Sequence, residues 1–159
     1  QEGRAVIIVI NKWDLREEKN EFNTELNYMI KKYINDVPDV RIVKCSAKND
    51  ASLDKIIDSA LDAYQSWNMR ITTGKLNSWL EAVLESHPPP ISKGRRIKIR
   101  FITQVKSRPP TFMLSTSQPE NLPAAYEKYL RNNLAKTFNI VGVPIRMMMR
   151  KKDNPYKKS

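Results

Sequence analysis

Residues 4–14 read Arg-Ala-Val-Ile-Ile-Val-Ile-Asn-Lys-Trp-Asp, and they decide the fold of the first half of the chain. The segment up to Ile10 is continuous and β-branched, which is typical of a strand buried on both faces in a parallel sheet. A charged segment over residues 15–35 follows, with apolar side chains spaced for one face of a helix. A second strand is predicted over residues 40–45, and a second amphipathic helix comes after it. This alternation predicts an α/β fold with a parallel sheet.

A short polar motif leaves the carboxyl end of each predicted strand, where parallel α/β sheets bind their ligands. Asn11-Lys12-Trp13-Asp14 follows the first strand, and Ser46-Ala47-Lys48 follows the second. A match to the first motif alone occurs by chance in about one chain in fifty of this length, and requiring a buried strand before it and the second motif after the next strand makes a chance match much rarer. In order and context the two motifs resemble the fourth and fifth motifs of the P-loop GTPases. The resemblance implies that residues 1–72 are the C-terminal part of a Rossmann-like G domain.

The chemistry of guanine explains these residue types. Guanine presents two adjacent donors, N1–H and the exocyclic amine, and a carboxylate such as Asp14 can accept both, whereas adenine does not offer that pair. By resemblance, Asn11 ties the N7 side of the base to the loop, Lys12 lays its aliphatic stem on the base, and the Ala47 N–H points at O6. The implied ligand is GTP or GDP. The predicted guanine site consists of Asn11, Lys12, Asp14, Ser46, Ala47 and Lys48.

The sequence contains neither of the motifs that would hold the phosphates. A Walker loop needs Gly, four residues, then Gly-Lys-Ser/Thr, and the switch motif needs Asp-x-x-Gly. The four glycines, Gly3, Gly74, Gly94 and Gly142, satisfy neither pattern. We therefore expect no catalytic residue here, no GTP hydrolysis by these residues alone, and Mg²⁺ binding only in the intact protein. We also expect a truncated protein whose first strands and phosphate-binding loops are missing.

The chain has a formal net charge of +11, and all of the excess lies in its second half. Residues 1–72 contain 11 Lys/Arg and 12 Asp/Glu, whereas residues 73–159 contain 17 and 5. This asymmetry indicates two modules with a boundary near Thr72. It also predicts a polyanionic partner for the second module.

Composition argues against several other classes of protein. The longest apolar run, residues 5–10, is too short to span a bilayer, so no membrane partner is expected. A single cysteine, Cys45, cannot form an internal disulfide, and with the single histidine, His87, it cannot build a closed zinc site. We therefore predict no metal site and a reducing, cytoplasmic location.

The second half of the chain is predicted to follow the order helix, strand, strand, helix, strand. Its first strand carries Ile97, Ile99 and Phe101 on one side. Lys98 and Arg100 alternate with them, which predicts one buried and one basic face. We therefore expect an α+β layer with two helices on one side of a three-stranded sheet.

Several stretches of this half resemble the KH-like domain that ends the Der (EngA) family of bacterial GTPases, which have two tandem G domains. The stretches that carry the resemblance are His87-Pro-Pro-Pro90, Lys98-Ile-Arg-Phe-Ile-Thr-Gln104, Arg108-Pro-Pro-Thr-Phe112, the helix of residues 126–132 and Val143-Pro-Ile-Arg146. The resemblance implies the end of the second G domain, a KH-like domain over residues 73–150 and a basic tail over residues 151–159. It further implies a role in assembly of the large ribosomal subunit, with that subunit, its RNA and the missing G domains as partners.

The sequence departs from ordinary KH domains at the loop that grips nucleic acid. Those domains clamp the backbone with a Gly-x-x-Gly loop, and no such motif occurs here. What remains is positive charge, which suits phosphate contacts. Two alternatives stay open: a solvated basic face without a partner, and a module that docks onto the missing first G domain and relays nucleotide state. The candidate RNA contacts are Lys93, Arg95, Arg96, Lys98, Arg100, Arg146 and Arg150.

Overall fold

The computed structural model describes residues 3–49, 52–92 and 94–151. Its first half alternates strand and helix, as the apolar pattern predicts. β1 and β2 pair in parallel, with Ile7 opposite Arg41 and the following residues in register, so their carboxyl ends meet at one edge of the sheet. The elements are β1 (Ile7–Ile10), α1 (Lys19–Tyr33), β2 (Arg41–Lys44) and α2 (Asp54–Asn68).

β1 is less enclosed than the sequence predicts. Its residues are mostly half-buried, and Val9 exposes 41% of its surface. Among the described residues, β2 is the one strand that pairs with it, and α1 contributes no fully buried side chain. The prediction that β1 is buried on both faces is therefore wrong for the described residues, because such burial needs a layer packed closely on each face of the strand.

The second half has the predicted order of helix, strand, strand, helix and strand. The strand order is β5-β6-β7, in which β5 and β6 are antiparallel and β6 and β7 are parallel. A short hairpin of β3 and β4 precedes this sheet; its two-residue strands have no apolar alternation that sequence reasoning could detect. The elements are α3 (Thr73–Ser86), β3 (Ile91–Ser92), β4 (Arg95–Arg96), β5 (Ile99–Lys106), β6 (Thr111–Thr116), α4 (Ala124–Thr137) and β7 (Arg146–Lys151).

One hydrophobic core joins α3 and α4 to the inner face of this sheet. Leu76 and Leu80 from α3 meet Leu130 and Leu134 from α4, and all four are essentially inaccessible to solvent. Burying a side chain of this size contributes about 1.5–3 kcal/mol relative to leaving it exposed. The helices therefore cover one face of the sheet, and the other face is the outer face discussed below.

The alternation predicted along β5 is broken at its start. Ile99 lies opposite Thr116 and Phe101 lies opposite Ser115, so Arg100 is an extra residue and forms a β-bulge. Arg100 and Phe101 are both exposed, and Ile102 takes the next position in the core. The prediction that Phe101 faces the core is therefore wrong, because the bulge changes the face on which each later side chain lies.

Two side-chain amides bind the β5 backbone and the segment before α3. Asn77 Nδ2 donates to the Ile102 carbonyl (3.0 Å), and Asn77 Oδ1 accepts the Ile102 N–H (3.1 Å). Gln104 Nε2 donates to the Met69 carbonyl (2.8 Å), and Gln104 Oε1 accepts the Ile71 N–H (2.8 Å). Each amide satisfies one donor and one acceptor, as a neighbouring strand would. They fix α3 and the linker from α2 against β5.

Backbone hydrogen bonds also join the two halves around Gly142, which precedes β7. The Val6 N–H donates to the Gly142 carbonyl (2.6 Å), and the Gly142 N–H donates to the Pro38 carbonyl (3.0 Å). Beside them the Val141 N–H donates to Oγ of the buried Ser66 in α2 (3.1 Å). We call this contact the seam. It lies just before β1 and β2, at the end of these strands opposite the polar motifs.

Candidate functional site

Asn11 connects the two polar loops predicted to read guanine. Its side-chain Oδ1 accepts the backbone N–H of Lys12 (2.7 Å) and that of Ala47 (3.1 Å). The second bond spans 36 positions in sequence and joins the loop after β1 to the loop after β2. A single side chain thus aligns both predicted halves of the guanine site.

The backbone extends the parallel ladder into these loops. The Cys45 N–H donates to the Ile10 carbonyl (2.9 Å), and the Trp13 N–H donates to the Cys45 carbonyl (3.0 Å). Between them Lys12 adopts left-handed dihedrals (φ 58°, ψ 34°), a conformation that costs a non-glycine residue about 1 kcal/mol or more. Asp14 follows on a single 3-10 turn and is exposed. Asp14 and Ala47 therefore lie on the loops that follow two neighbouring strands, at the same edge of the sheet.

The remaining site residues differ in exposure. Ser46 is buried, and its Oγ has no hydrogen-bond partner among the described residues. Lys48 is exposed on the turn that begins at Ala47. The Ala47 N–H, which the resemblance directs at guanine O6, is donated to Asn11 in this structure. The structure thus brings Asn11 and Ala47 into direct contact and keeps the other predicted residues on the same two loops.

Trp13, the variable residue of the first motif, packs against its own module. Its ring centroid lies 5.9 Å from that of Phe22 in α1. The Lys44 ammonium lies 4.5 Å from the Trp13 ring centroid and donates to Oδ1 of Asn23 (2.6 Å). These contacts hold the loop against α1 and β2. The sequence contained one signal for these contacts, namely the cation Lys44 at the last position of β2.

The basic candidates fall into two groups. Arg100, Arg146 and Arg150 are exposed on the three-stranded sheet, where Arg150 lies opposite Ser115 and Arg146 opposite Thr111. Sequence reasoning missed Lys106, which is exposed at the end of β5, and it assigned Lys151 to the basic tail, whereas Lys151 is the exposed last residue of β7.

The other candidates precede the sheet. Arg95 and Arg96 form β4 of the small hairpin, and Arg96 is exposed. Lys98 lies between β4 and β5; its side chain is exposed and its backbone N–H donates to Ser117 Oγ (3.0 Å). Lys93 and the predicted tail beyond Lys151 lie outside the described residues.

The described residues offer neither a metal site nor a membrane-spanning helix. Within residues 3–49, 52–92 and 94–151, no group of His, Cys, Asp and Glu side chains has an arrangement that could hold a metal ion. None of the helices in these ranges has the length and apolarity needed to span a membrane.

Comparison with known proteins identifies the family. Residues 70–150 match the family model described as KH-domain-like of EngA bacterial GTPase enzymes, C-terminal. Curated proteins named GTPase Der are similar over almost the whole chain: 44% identity over 156 residues in Mesorhizobium japonicum and 45% over 159 in Jannaschia sp.. These matches cover 98% and 99% of the chain but 33% of each relative, so the chain spans about a third of their length. The chain belongs to the family of KH-like domains found at the C-terminus of the EngA bacterial GTPases.

Proposed function

We propose that the chain recognises the guanine base of GTP or GDP through the two loops that follow β1 and β2. The observation that carries the proposal is the bond from the Ala47 N–H to Asn11 Oδ1, which joins the loops at adjacent parallel strand ends. On this proposal residues 1–72 are the C-terminal part of a P-loop G domain. The name of the relatives, GTPase Der, agrees with a guanine nucleotide as ligand.

The donors and acceptors of the loops fit a guanine base. Asp14 is an exposed carboxylate with room to accept N1–H and the exocyclic amine together. The Lys12 side chain is exposed beside it and supplies an aliphatic stem for one face of the ring. Ser46 Oγ, next to Ala47, is buried and has no hydrogen-bond partner among the described residues. The base would compete with Asn11 for the Ala47 N–H, which then turns toward O6.

We further propose that the KH-like module, residues 73–150, faces RNA of the large ribosomal subunit, and that a cytoplasmic GTPase uses it in ribosome assembly. Five Lys/Arg and no Asp/Glu occur in β5, β6 and β7, which favours a polyanion. The alternative is a docking module that relays nucleotide state to another G domain. The seam supports this alternative, since it connects the module to the segment before β1.

Titration of the ¹⁵N-labelled 159-residue chain with guanosine, adenosine and xanthosine tests the guanine site by NMR. We expect guanosine to shift the amide resonances of Lys12 and Ala47, and adenosine to leave them unchanged. In Asp14→Asn the NH₂ of the side-chain amide should donate to the 2-oxo group of xanthine, whereas it cannot accept from the exocyclic amine of guanine. The preference should therefore change from guanosine to xanthosine.

Asp36→Asn is the matched control, because Asp36 is exposed in the segment between α1 and β2, at the opposite end of the strands. It should respond to the three nucleosides like the unmodified chain. An equal response to guanosine and adenosine would contradict the proposal. So would an unchanged guanosine preference in Asp14→Asn.

A further inference from the structure

Phe101 is an aromatic ring at the surface of a basic sheet. We infer that the outer face of the sheet, formed by β5, β6 and β7, binds unpaired nucleotide bases, with one base stacked on the Phe101 ring. The inference rests on the proposed RNA-binding function and specifies the kind of RNA and the manner of contact. It concerns a different part of the module from the loop that ordinary KH domains use.

The bulge at Arg100 makes the ring available. Phe101 and Val105 on β5 and Met148 on β7 expose 45%, 49% and 50% of their surfaces, so the basic sheet also carries exposed apolar surface, which can mark an interaction site. Ile99 and Ile102, on either side of the bulge, are buried in the core. Because Phe101 lies between two anchored residues, its position at the surface is set by the fold and needs no rearrangement before a base can stack on it.

Cross-strand pairing arranges the outer face in rows. One row consists of Phe101, Ser115 and Arg150, and the next consists of Thr103, Met113 and Met148. The ring therefore shares a row with one arginine, and Arg100 is its neighbour along the strand. Aromatic and apolar surface between cations is the arrangement with which proteins bind single-stranded nucleic acid, because bases stack while phosphates meet the charges.

The charge of the face favours nucleic acid over a protein partner. Its strands contain no Asp or Glu, so an ordinary protein surface of mixed charge would leave several of its own cations opposed by cations. A double helix would present phosphates but would keep its bases stacked internally, out of reach of Phe101. Unpaired RNA satisfies both the charges and the ring.

Fluorescence anisotropy with the 159-residue chain tests the inference. The probes are a labelled oligo(U) of about ten nucleotides, a length within the range covered by one small single-strand-binding sheet, and an RNA duplex of equal total charge. We expect the chain to bind oligo(U) more tightly than the duplex. Phe101→Leu, which keeps an apolar side chain but removes the ring, should weaken oligo(U) binding about tenfold, the loss of one base stack.

Two variants control for the loss of an aromatic residue. Tyr64→Leu removes an exposed ring from α2, and it should bind oligo(U) like the unmodified chain. Phe101→Tyr keeps a ring at the same place, and it should also retain binding. Thermal unfolding monitored by circular dichroism establishes that each variant is folded.

Several outcomes would overturn the inference. If Phe101→Leu binds oligo(U) as tightly as Tyr64→Leu does, or if duplex and oligo(U) bind equally, the RNA contact is purely electrostatic; the proposed RNA-facing function then survives without the stacking site. If polyglutamate displaces oligo(U) as well as unlabelled oligo(U) does, the face is a docking surface for acidic protein. If the unmodified chain binds neither RNA, the proposed RNA function fails as well.

Discussion

At the scale of single residues, Tyr126 links the two helices of the KH-like module. Its hydroxyl donates to the His87 carbonyl at the end of α3 (2.6 Å), and its ring centroid lies 5.7 Å from that of Tyr129. Burial is the larger cause and the neighbouring Tyr129 the smaller cause that raise the pKa of Tyr126 from 10.0 to about 12. The fold therefore favours the neutral phenol, which is the form that can donate the hydrogen bond.

This preference predicts how stability depends on pH. A tyrosine whose pKa is raised in the folded state contributes its full stability below the unfolded value of 10.0, and that contribution is lost as pH rises toward about 12. We expect Tyr126→Phe, which cannot ionise, to lose less free energy of unfolding between pH 10 and pH 12 than the unmodified chain. Urea denaturation at a series of pH values measures this difference.

Tyr28→Phe is the control for that experiment, because Tyr28 is 62% exposed on α1. All other ionisable groups are common to the three proteins, so their effects cancel in the comparison. Tyr28→Phe should show the same pH dependence as the unmodified chain. Parallel stability curves for Tyr126→Phe and Tyr28→Phe would show that Tyr126 is not responsible.

At the scale of elements, the positions of the extra residues in β5 decide which of its side chains face the core. The register shifts at Arg100 and again between Gln104 and Lys106. Between these shifts Ile102 and Gln104 point toward the core and the linker, where Ile102 packs and Gln104 makes its two hydrogen bonds. The strand thus contacts two other elements only if this alternation is kept.

Two single-residue deletions should therefore differ sharply. Removing Arg100 leaves Ile99 followed directly by Phe101, which is a regular ladder with the same later register, so we expect a change in stability within about 1 kcal/mol. Removing Thr103 turns Gln104 away from the linker and breaks its hydrogen bonds, so we expect a loss of about 2–4 kcal/mol. Guanidinium denaturation of both variants provides the test.

Circular dichroism and amide NMR spectra would show whether each deletion variant keeps the native sheet. The account of the bulge would be wrong if deletion of Arg100 were as damaging as deletion of Thr103. It would also be wrong if Gln104 kept its hydrogen bonds to Met69 and Ile71 in the variant that lacks Thr103.

At the scale of the whole molecule, the seam is the contact through which the backbone of the first half is hydrogen-bonded to that of the second half. Gly142 has a positive φ of 64°, and a Cβ built on it would lie 2.7 Å from the Val6 carbonyl oxygen. The same two residues share the hydrogen bond that precedes β1. A side chain at position 142 would push the backbone at Val6 away from the loop before β7 and so separate the two halves of the chain.

We expect Gly142→Ala to lower the free energy of unfolding by about 2 kcal/mol or more, from left-handed strain together with the clash. Amide hydrogen exchange should accelerate in β1, next to the lost contact. Gly94→Ala is the matched control, because Gly94 also has a positive φ (71°), but apart from its chain neighbours no described residue has an atom within 4 Å of an added Cβ. It should show the strain alone and unchanged exchange in β1. Equal effects of the two substitutions would argue against the seam.

The sequence by itself determined the parts of this protein that depend on local pattern. Apolar runs and helical spacing predicted the parallel pair β1 and β2 and the order of elements in the KH-like module, and both are confirmed. The two polar motifs could be placed at strand ends because parallel strands always bring those ends together. The resemblance to the EngA family rested on quoted residues, and the family match confirms it. These features need only a short window of residues for their recognition.

Only the tertiary structure decided which side chains meet. The bulge that exposes Phe101 is defined by the pairing of β5 with β6. The hydrogen bond from Ala47 to Asn11 requires two loops to lie side by side. The seam at Gly142 joins segments that are far apart in sequence. The presence of Phe101 on the outer, basic face of the sheet could not be foreseen for the same reason. Strand register and long-range hydrogen bonds are properties of pairs of segments, so no pattern within one segment contains them.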